Sequence, residues 1–368
     1  MGGEYDFDME EIETKSYEYS GYLRADDRYQ QLNTESPLYI QNSDERSSQN
    51  YLHLEALLNL AYFKDIYTFK SSFTATYDHV NSNNRDDLVI NELFAEAKPT
   101  QNHMFLVGKQ SLQWGKGYYF NPVAFFDRPK DPTQPTLVRE GFWMANYGYT
   151  KTFNNALKNI RLDLLYLRAS SSFNEDYYTF AANEQTSHNI GAKLYMLLFD
   201  TDIDLIYNYA DSAKDKIGID FSKNLLSNFE IHGELAKELG GYHSYLLGLR
   251  YLSSFDLTLI SEYLYRSNGL SKEEIEERDT TLPFAAKSYV ITLLSQKEPL
   301  DILYFTLYAK DMLNLEDQSH QDKFGFIYRF SNNVDLDLSY NINSGSSLSE
   351  FGKKMVSDFA WVKVMWYF

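Results

Sequence analysis

Apolar and polar residues alternate along most of this 368-residue chain, in segments of about ten residues, roughly the length of a bilayer-spanning strand. From Tyr67 to Tyr77, one set of alternate positions reads Tyr, Phe, Ser, Phe, Ala, Tyr, and the other reads Thr, Lys, Ser, Thr, Thr. A period of two residues indicates a β-strand with one apolar and one polar face. The aromatic residue at each end of the apolar face is typical of a strand that crosses a bilayer.

The same pattern predicts eighteen strands along the chain. The predicted strands are 16–25, 51–63, 66–79, 88–98, 102–114, 141–153, 159–169, 188–199, 202–211, 216–222, 228–237, 241–252, 255–266, 287–297, 301–311, 322–330, 334–343 and 359–368. The first, the tenth and the pair 228–252 fit the pattern least well, so sixteen strands is the alternative.

Short and long connections alternate between these segments, and both chain ends fall on the side of the short ones. The long connections include 26–50 and 80–87. All eight prolines fall in connections, as expected where every strand has two neighbours. Bacterial single-chain barrels have an even number of strands, short periplasmic turns and long extracellular loops. We therefore predict an all-β, antiparallel transmembrane barrel with periplasmic termini. A soluble solenoid is disfavoured because no repeat of fixed period is present.

The composition narrows the class of protein. The 31 Tyr and 25 Phe would supply aromatic girdles at the two membrane interfaces. A mean hydropathy of −0.46 and the lack of any long apolar run exclude a helical membrane protein. The net charge of −18 argues against a nucleic-acid partner. With no Cys, the chain forms no disulfide and offers no thiol.

The chain begins without the basic and apolar regions of a signal peptide. We expect residues 1–15 to form an N-terminal periplasmic extension that includes residues added for expression, the natural secretion signal having been left out. Residues 16–368 are expected to form one barrel domain.

The segment between the fifth and sixth predicted strands differs from the other connections. It contains four of the eight prolines and is too aromatic for a disordered loop. Aromatic side chains on a loop need burial, which the interior of a barrel offers. We therefore predict that residues 115–140, the third extracellular loop, fold into the barrel and constrict it.

Three short motifs mark this region: Gly108-Lys-Gln110, Trp114-Gly-Lys-Gly117 and Asn121-Pro122. They resemble the G-[RK]-Q … W-G … N-P signature of porin-like outer-membrane proteins, a group that includes alginate-export-type and other substrate-specific channels. The resemblance implies a porin fold in which the loop after the fifth strand is the constriction loop. It does not extend to the solute.

Charged and aromatic side chains of this loop are the candidate site residues, because a charged constriction selects solutes by sign. The candidates are Lys116, Tyr118, Tyr119, Phe120, Asp127, Arg128, Lys130, Asp131, Arg139 and Glu140. Inward strand positions add a basic lumen wall of Lys109, Arg161, Lys193, Arg250 and Arg329. For any single residue, an ordinary paired or solvated role is the simpler interpretation.

No catalytic, cofactor or metal site is predicted. Glu230, His232 and Glu234 share one strand face, but a polar lumen stripe is the simpler interpretation than a cation site. The run Tyr265-Arg-Ser-Asn-Gly269 resembles the His-x-Ser-Asn-Gly motif of outer-membrane phospholipases. Tyr265 stands where the base should be, so Ser267 has no local partner to activate it.

The sequence therefore predicts an integral protein of a Gram-negative outer membrane that passes a small hydrophilic solute by facilitated diffusion. Anionic and carbohydrate-like solutes are the candidates. The alternative is a non-transporting barrel that serves as a scaffold or sleeve for a periplasmic or secreted partner. Expected partners are outer-membrane lipid, lipopolysaccharide and the barrel-insertion machinery, with Phe368 as part of the terminal insertion signal. Either a monomer or a homotrimer is expected.

Overall fold

The computed structural model describes residues 15–41, 46–177, 186–278 and 284–368. The first half of the chain forms β1 (Tyr17–Leu32), β2 (Ser48–Lys64), β3 (Tyr67–Val80), β4 (Asn83–Ala97), β5 (His103–Gln110), β6 (Phe142–Thr152), β7 (Leu157–Ala169), β8 (Ser187–Leu198) and β9 (Thr201–Ala210). The second half forms β10 (Lys216–Leu226), β11 (Phe229–Glu238), β12 (His243–Leu252), β13 (Leu257–Arg266), β14 (Ser288–Lys297), β15 (Phe305–Asn314), β16 (His320–Ser331), β17 (Val334–Ser344) and β18 (Val356–Tyr367).

Each strand pairs antiparallel with the next, and β1 pairs with β18, which closes the sheet into a barrel of 18 strands. Every predicted segment overlaps one of these strands. The prediction of an all-β, eighteen-stranded barrel is confirmed, and the sixteen-strand alternative is wrong. Seven of the eight prolines lie outside the strands, as predicted, whereas Pro283 lies outside the described residues.

Successive residues of each strand face opposite sides of the barrel wall. On β2, Leu54, Leu58 and Leu60 are exposed on the outer surface. Inside the barrel, Asp204 of β9 and Glu262 of β13 are buried. The outer surface is thus apolar and the interior polar, the reverse of a soluble protein with a dry core.

Helical segments are few. Among the described residues, α1 (Pro37–Gln41), α2 (Lys272–Glu276) and a 3₁₀ turn (Pro299–Asp301) lie in connections. The Ser271 hydroxyl oxygen accepts from the N–H of Glu274, and the Glu274 carboxylate accepts from the N–H of Ser271, which completes a capping box at the start of α2. No helix in the described part of the chain is long and apolar enough to cross a membrane.

Two of the long connections predicted from the sequence are shorter in the structure. β1 continues to Leu32, so the predicted loop 26–50 shrinks to residues 33–47. The predicted loop 80–87 is replaced by the two-residue turn Asn81–Ser82, where Asn81 has a φ of 59°. The strands extend beyond the stretch in which apolar and polar residues alternate. Because outward positions such as Asp27 and Asp86 are polar there, the alternation did not predict these parts of the strands.

The fifth predicted strand ends earlier than expected. β5 stops at Gln110 rather than at residue 114, because Asp127 accepts hydrogen bonds from the N–H groups of Leu112 (2.7 Å) and Trp114 (3.0 Å) in place of a strand partner. Similarly, β15 starts at Phe305 rather than 301, after the 3₁₀ turn.

Both ends of the described chain lie at the end of the barrel that carries the short connections. Tyr17 of β1 is paired with Tyr62, next to the β2–β3 turn, and Tyr367 donates to the carbonyl of Asn333 in the β16–β17 turn. The expected extension 1–15 falls almost entirely outside the described residues, which begin at residue 15.

Candidate functional site

The connection between β5 and β6, residues 111–141, lies inside the barrel, and we call it the inner loop. Its backbone and side chains contact inward side chains of strands from distant parts of the chain. The contacts reach Arg24 of β1, Asp204 of β9, Glu234 of β11, Glu262 of β13 and Lys310 of β15. The inner loop therefore crosses the lumen and is fixed to more than one side of the wall.

Two buried carboxylates hold the first turn of the inner loop. Glu234, which is 3% exposed, accepts hydrogen bonds from the N–H groups of Lys116 and Gly117, both at 2.7 Å, and of Val123 at 3.2 Å. A carboxylate that accepts several backbone N–H groups makes charge-assisted hydrogen bonds, which are stronger than neutral ones.

Glu262 adds a second anchor beside the first. It is 1% exposed and accepts hydrogen bonds from the N–H groups of Tyr118 and Tyr119, the latter at 3.0 Å. His232 Nε2 lies 2.9 Å from the Glu262 carboxylate. The Glu230–His232–Glu234 face, for which the sequence favoured a polar lumen stripe over a cation site, is thus engaged in holding the inner loop.

The glycines of the Trp-Gly-Lys-Gly motif permit this close approach. Gly115 has a φ of +100°, and a Cβ there would lie 2.7 Å from a Glu234 oxygen. A Cβ on Gly117 would lie 2.2 Å from the carbonyl oxygen of Phe120. Neither position accommodates a side chain without displacing the loop.

The basic residues of the inner loop are also engaged in holding it. Lys116 Nζ lies 3.0 Å from Asp204 and 3.8 Å from Asp220, both buried beneath the loop. Burial by itself would lower the pKa of Lys116, but the two carboxylates outweigh it and raise that pKa. Lys130 Nζ donates to the carbonyl of Gly117, and burial lowers the pKa of Lys130.

The remaining predicted charges form a second group near the end of the loop. Arg128 pairs with Glu140 at 3.0 Å and with Asp176, and Arg139 donates to the carbonyl of Arg128 at 2.8 Å. Asp131 accepts from the N–H of Thr133 at 2.8 Å. These contacts shape the loop, and the sequence prediction that the same residues form a charged constriction stays a prediction.

The aromatic residues of the inner loop pack against the wall. Trp114, Phe125 and Phe126 join one buried cluster, to which Tyr177 adds a hydrogen bond from its hydroxyl to the Phe125 carbonyl at 2.9 Å. Tyr119 and Phe120 belong to a second buried cluster. Tyr118 is half-buried, and its hydroxyl donates to Glu230 at 3.1 Å.

The five predicted wall residues are placed differently from one another. Lys109 lies on the same strand face as Phe105 and Val107, which are exposed on the outside, and it pairs with Glu140. The other four lie on inward strand positions: Arg161 pairs with Asp163 at 2.8 Å, Lys193 with Asp204 at 3.7 Å, Arg329 with Asp335 at 2.7 Å, and Arg250 is exposed.

Sequence reasoning missed a basic group on the inner wall formed by β1, β16 and β18. Trp361 is buried and is surrounded by four cationic side chains, which we call the Trp361 cluster: Arg24, Arg28, Lys323 and Lys363. Lys323 and Arg329 are six residues apart on β16 and so lie on the same inward face. The sequence pattern was therefore sufficient to predict that Lys323 faces inward. The convergence itself depends on the pairing of β18 with β1, which periodicity does not reveal.

Comparison with known proteins shows the fold. No family model matches this chain, and no curated protein gives a significant match. OccK5 (OpdH) of Pseudomonas aeruginosa superposes with a TM-score of 0.56 and 12% identity over 95% of this chain and 98% of that one. OccAB3 of Acinetobacter baumannii gives 0.56 and 11% over 96% and 99%. A mutant of the Rhodopseudomonas blastica porin gives 0.50 and 12% over 96% and 100%.

Proposed function

We propose that this chain is an outer-membrane channel through which a small hydrophilic solute diffuses, with the inner loop as its constriction. One observation carries the proposal: a closed barrel, apolar outside and polar inside, has its lumen crossed by a loop fixed to the wall by buried carboxylates. Fixed loops and charged walls are the means by which channels restrict and select solutes.

The outer surface supports a membrane location. Its apolar band contains exposed Leu, Val, Phe and Tyr side chains, among them Leu58, Val107 and Tyr166. Exposure of so many apolar side chains to water would be unfavourable, whereas contact with lipid is not. We propose an integral outer-membrane protein with both termini in the periplasm, surrounded by lipid and lipopolysaccharide and assembled by the barrel-insertion machinery. The structural similarity to a protein named as a porin supports this placement.

A barrel that serves as a sleeve for a partner protein is the second candidate. Such a sleeve needs a wide, open lumen. Here the inner loop occupies part of the lumen and is anchored on both sides of it, by Lys116 to Asp204 and by Lys310 Nζ to the carbonyl of Thr133 at 2.9 Å. These contacts favour the channel.

Conductance across a planar lipid bilayer tests the proposal. The intact refolded protein should open discrete channels, and a variant that lacks residues 118–137 should conduct several-fold more current per channel because the constriction is removed. The matched control lacks Pro37–Gln41, a helix with no buried residue, and should conduct as the intact protein does.

A silent intact protein whose loop-deleted variant is equally silent would refute the channel and leave the sleeve. Heat-modifiable mobility on gels identifies folded barrels in each sample, so that silence is scored only on folded protein.

A further inference from the structure

The Trp361 cluster carries an excess of positive charge around one indole ring. The guanidinium carbon of Arg28 and Nζ of Lys323 each lie 4.3 Å from the ring centre. Nζ of Lys363 lies 5.3 Å from the same point, and the guanidinium carbon of Arg24 lies 5.9 Å from it. Like charges brought this close repel one another unless anions offset them.

Carboxylates of the wall offset only part of this charge. Arg24 pairs with Asp26 at 2.5 Å and lies 3.7 Å from Glu55. Arg28 lies 3.7 Å from the same Asp26, and Lys363 pairs with Asp337 at 2.9 Å. Lys323 has no carboxylate within ion-pair distance among the described residues. It lies directly opposite Lys310 in the β15–β16 ladder, which adds a further positive charge.

Two buried hydrogen-bond donors in the same cluster lack an acceptor. Trp361 is 5% exposed, and neither its indole N–H nor the Nε–H of Arg28 has a hydrogen-bond partner in the described structure. A buried donor without an acceptor costs free energy, which an incoming acceptor would return. Charge and hydrogen bonding therefore point to the same missing group, an anionic acceptor.

The cluster borders the inner loop. Lys310 Nζ donates to the carbonyls of Pro132 (3.2 Å) and Thr133 (2.9 Å), and Arg24 donates to the Gln134 side chain at 3.1 Å. Residues 132–134 thus meet the wall at the edge of the cluster. A solute that passes between the loop and this wall passes the Trp361 cluster.

We propose that the Trp361 cluster is a binding site for a small oxyanion, a carboxylate or phosphate group of the transported solute, held by Lys323, Arg28 and the indole N–H of Trp361. The inference rests on the proposed channel function. Ammonium, guanidinium and N–H donors are the groups with which proteins bind carboxylate and phosphate oxygens. A neutral sugar would leave the positive charge without a counterpart.

Block of the channel current by added anions tests the site. Citrate or inorganic phosphate, added on one side of the bilayer, should reduce the current through the intact protein, whereas glucose should not. In Lys323→Met the half-blocking concentration should rise by about tenfold, the loss expected for one hydrogen bond to a charged group. Trp361→Phe keeps the ring, removes the N–H and should weaken block by a smaller factor.

Lys98→Met is the matched control, since it also removes one positive charge but lies at the β4–β5 turn, paired with Glu96 and 59% exposed. It should leave the block unchanged. Block by citrate alone would assign the site to carboxylates, and block by phosphate alone to phosphates, and both results support it. Open channels that neither anion blocks, or equal block in Lys323→Met and Lys98→Met, would overturn the site and leave the channel standing. If the wild type and the variant that lacks residues 118–137 both form no channels, the channel itself is refuted.

Discussion

Replacing Glu234 by alanine should release the inner loop and raise the conductance of single channels several-fold. The side chain accepts the N–H groups of Lys116, Gly117 and Val123, and the alanine variant leaves all three without an acceptor. A buried donor without a partner costs roughly 1–3 kcal/mol, so three of them exceed what a short loop segment can absorb in place. We expect the segment 116–123 to move away from the wall so that its N–H groups can form hydrogen bonds with water, which widens the lumen.

The conservative variant separates charge from shape at the same position. Glu234→Gln keeps one oxygen, which can still accept from Lys116 and Gly117, but its amide would face the N–H of Val123 donor to donor. We therefore expect Glu234→Gln to conduct between the wild type and Glu234→Ala. Glu238→Ala is the control on the same strand, because that carboxylate lies 3.5 Å from Lys214 at the rim and does not contact the inner loop.

Single-channel recording and thermal unfolding in detergent measure the two effects together. If Glu234→Ala folds into a barrel and conducts as the wild type does, then Glu234 does not hold the constriction. A lower unfolding temperature in Glu234→Ala, with Glu238→Ala unchanged, would show that the same hydrogen bonds stabilise the folded barrel.

The barrel could be predicted from the sequence because each strand carries its own signal. Tyr67 to Tyr77 alternates without interruption, and that stretch alone distinguishes an outer from an inner face. Near the ends of the strands the outward positions are also polar, as at Asp86, which pairs with Tyr77. There the alternation of apolar and polar residues stops, although the backbone pairing of β3 with β4 continues. The positions of the strand ends therefore could not be predicted from the apolar and polar pattern.

The contacts of the candidate site could not be predicted in the same way. Gly117 and Glu234 are separated by 117 residues, and Trp361 and Arg28 meet only because the last strand closes on the first. Periodicity gives the face on which a side chain lies but not its neighbours. It placed Lys116 in the inner loop without its partner Asp204, and it took Lys109 for an inward residue although Leu93, its outward neighbour on β4, shares its face.

Deleting Phe368 should strongly reduce the amount of folded barrel in the outer membrane. Its N–H donates to the carbonyl of Gly21 at 3.1 Å, and its carbonyl accepts from the N–H of Gly21 at 3.0 Å, so the last residue forms part of the seam between β1 and β18. Its ring lies 5.5 Å from that of Trp366. The deletion removes these two hydrogen bonds and the terminal aromatic residue. If β1 and β18 do not pair, the barrel stays open and two strand edges keep unpaired backbone groups.

Two further variants distinguish the seam from the terminal ring. Phe368→Ala keeps the backbone hydrogen bonds and removes the ring, whereas Phe368→Tyr keeps both and should assemble normally. If recognition of the aromatic terminus by the insertion machinery limits assembly, Phe368→Ala should fail as the deletion does; if the seam limits it, Phe368→Ala should assemble like the wild type. Heat-modifiable protein in the membrane fraction is the measurement. A normal yield of the deletion variant would contradict both roles, because neither the seam hydrogen bonds of Phe368 nor its ring would then be needed for assembly.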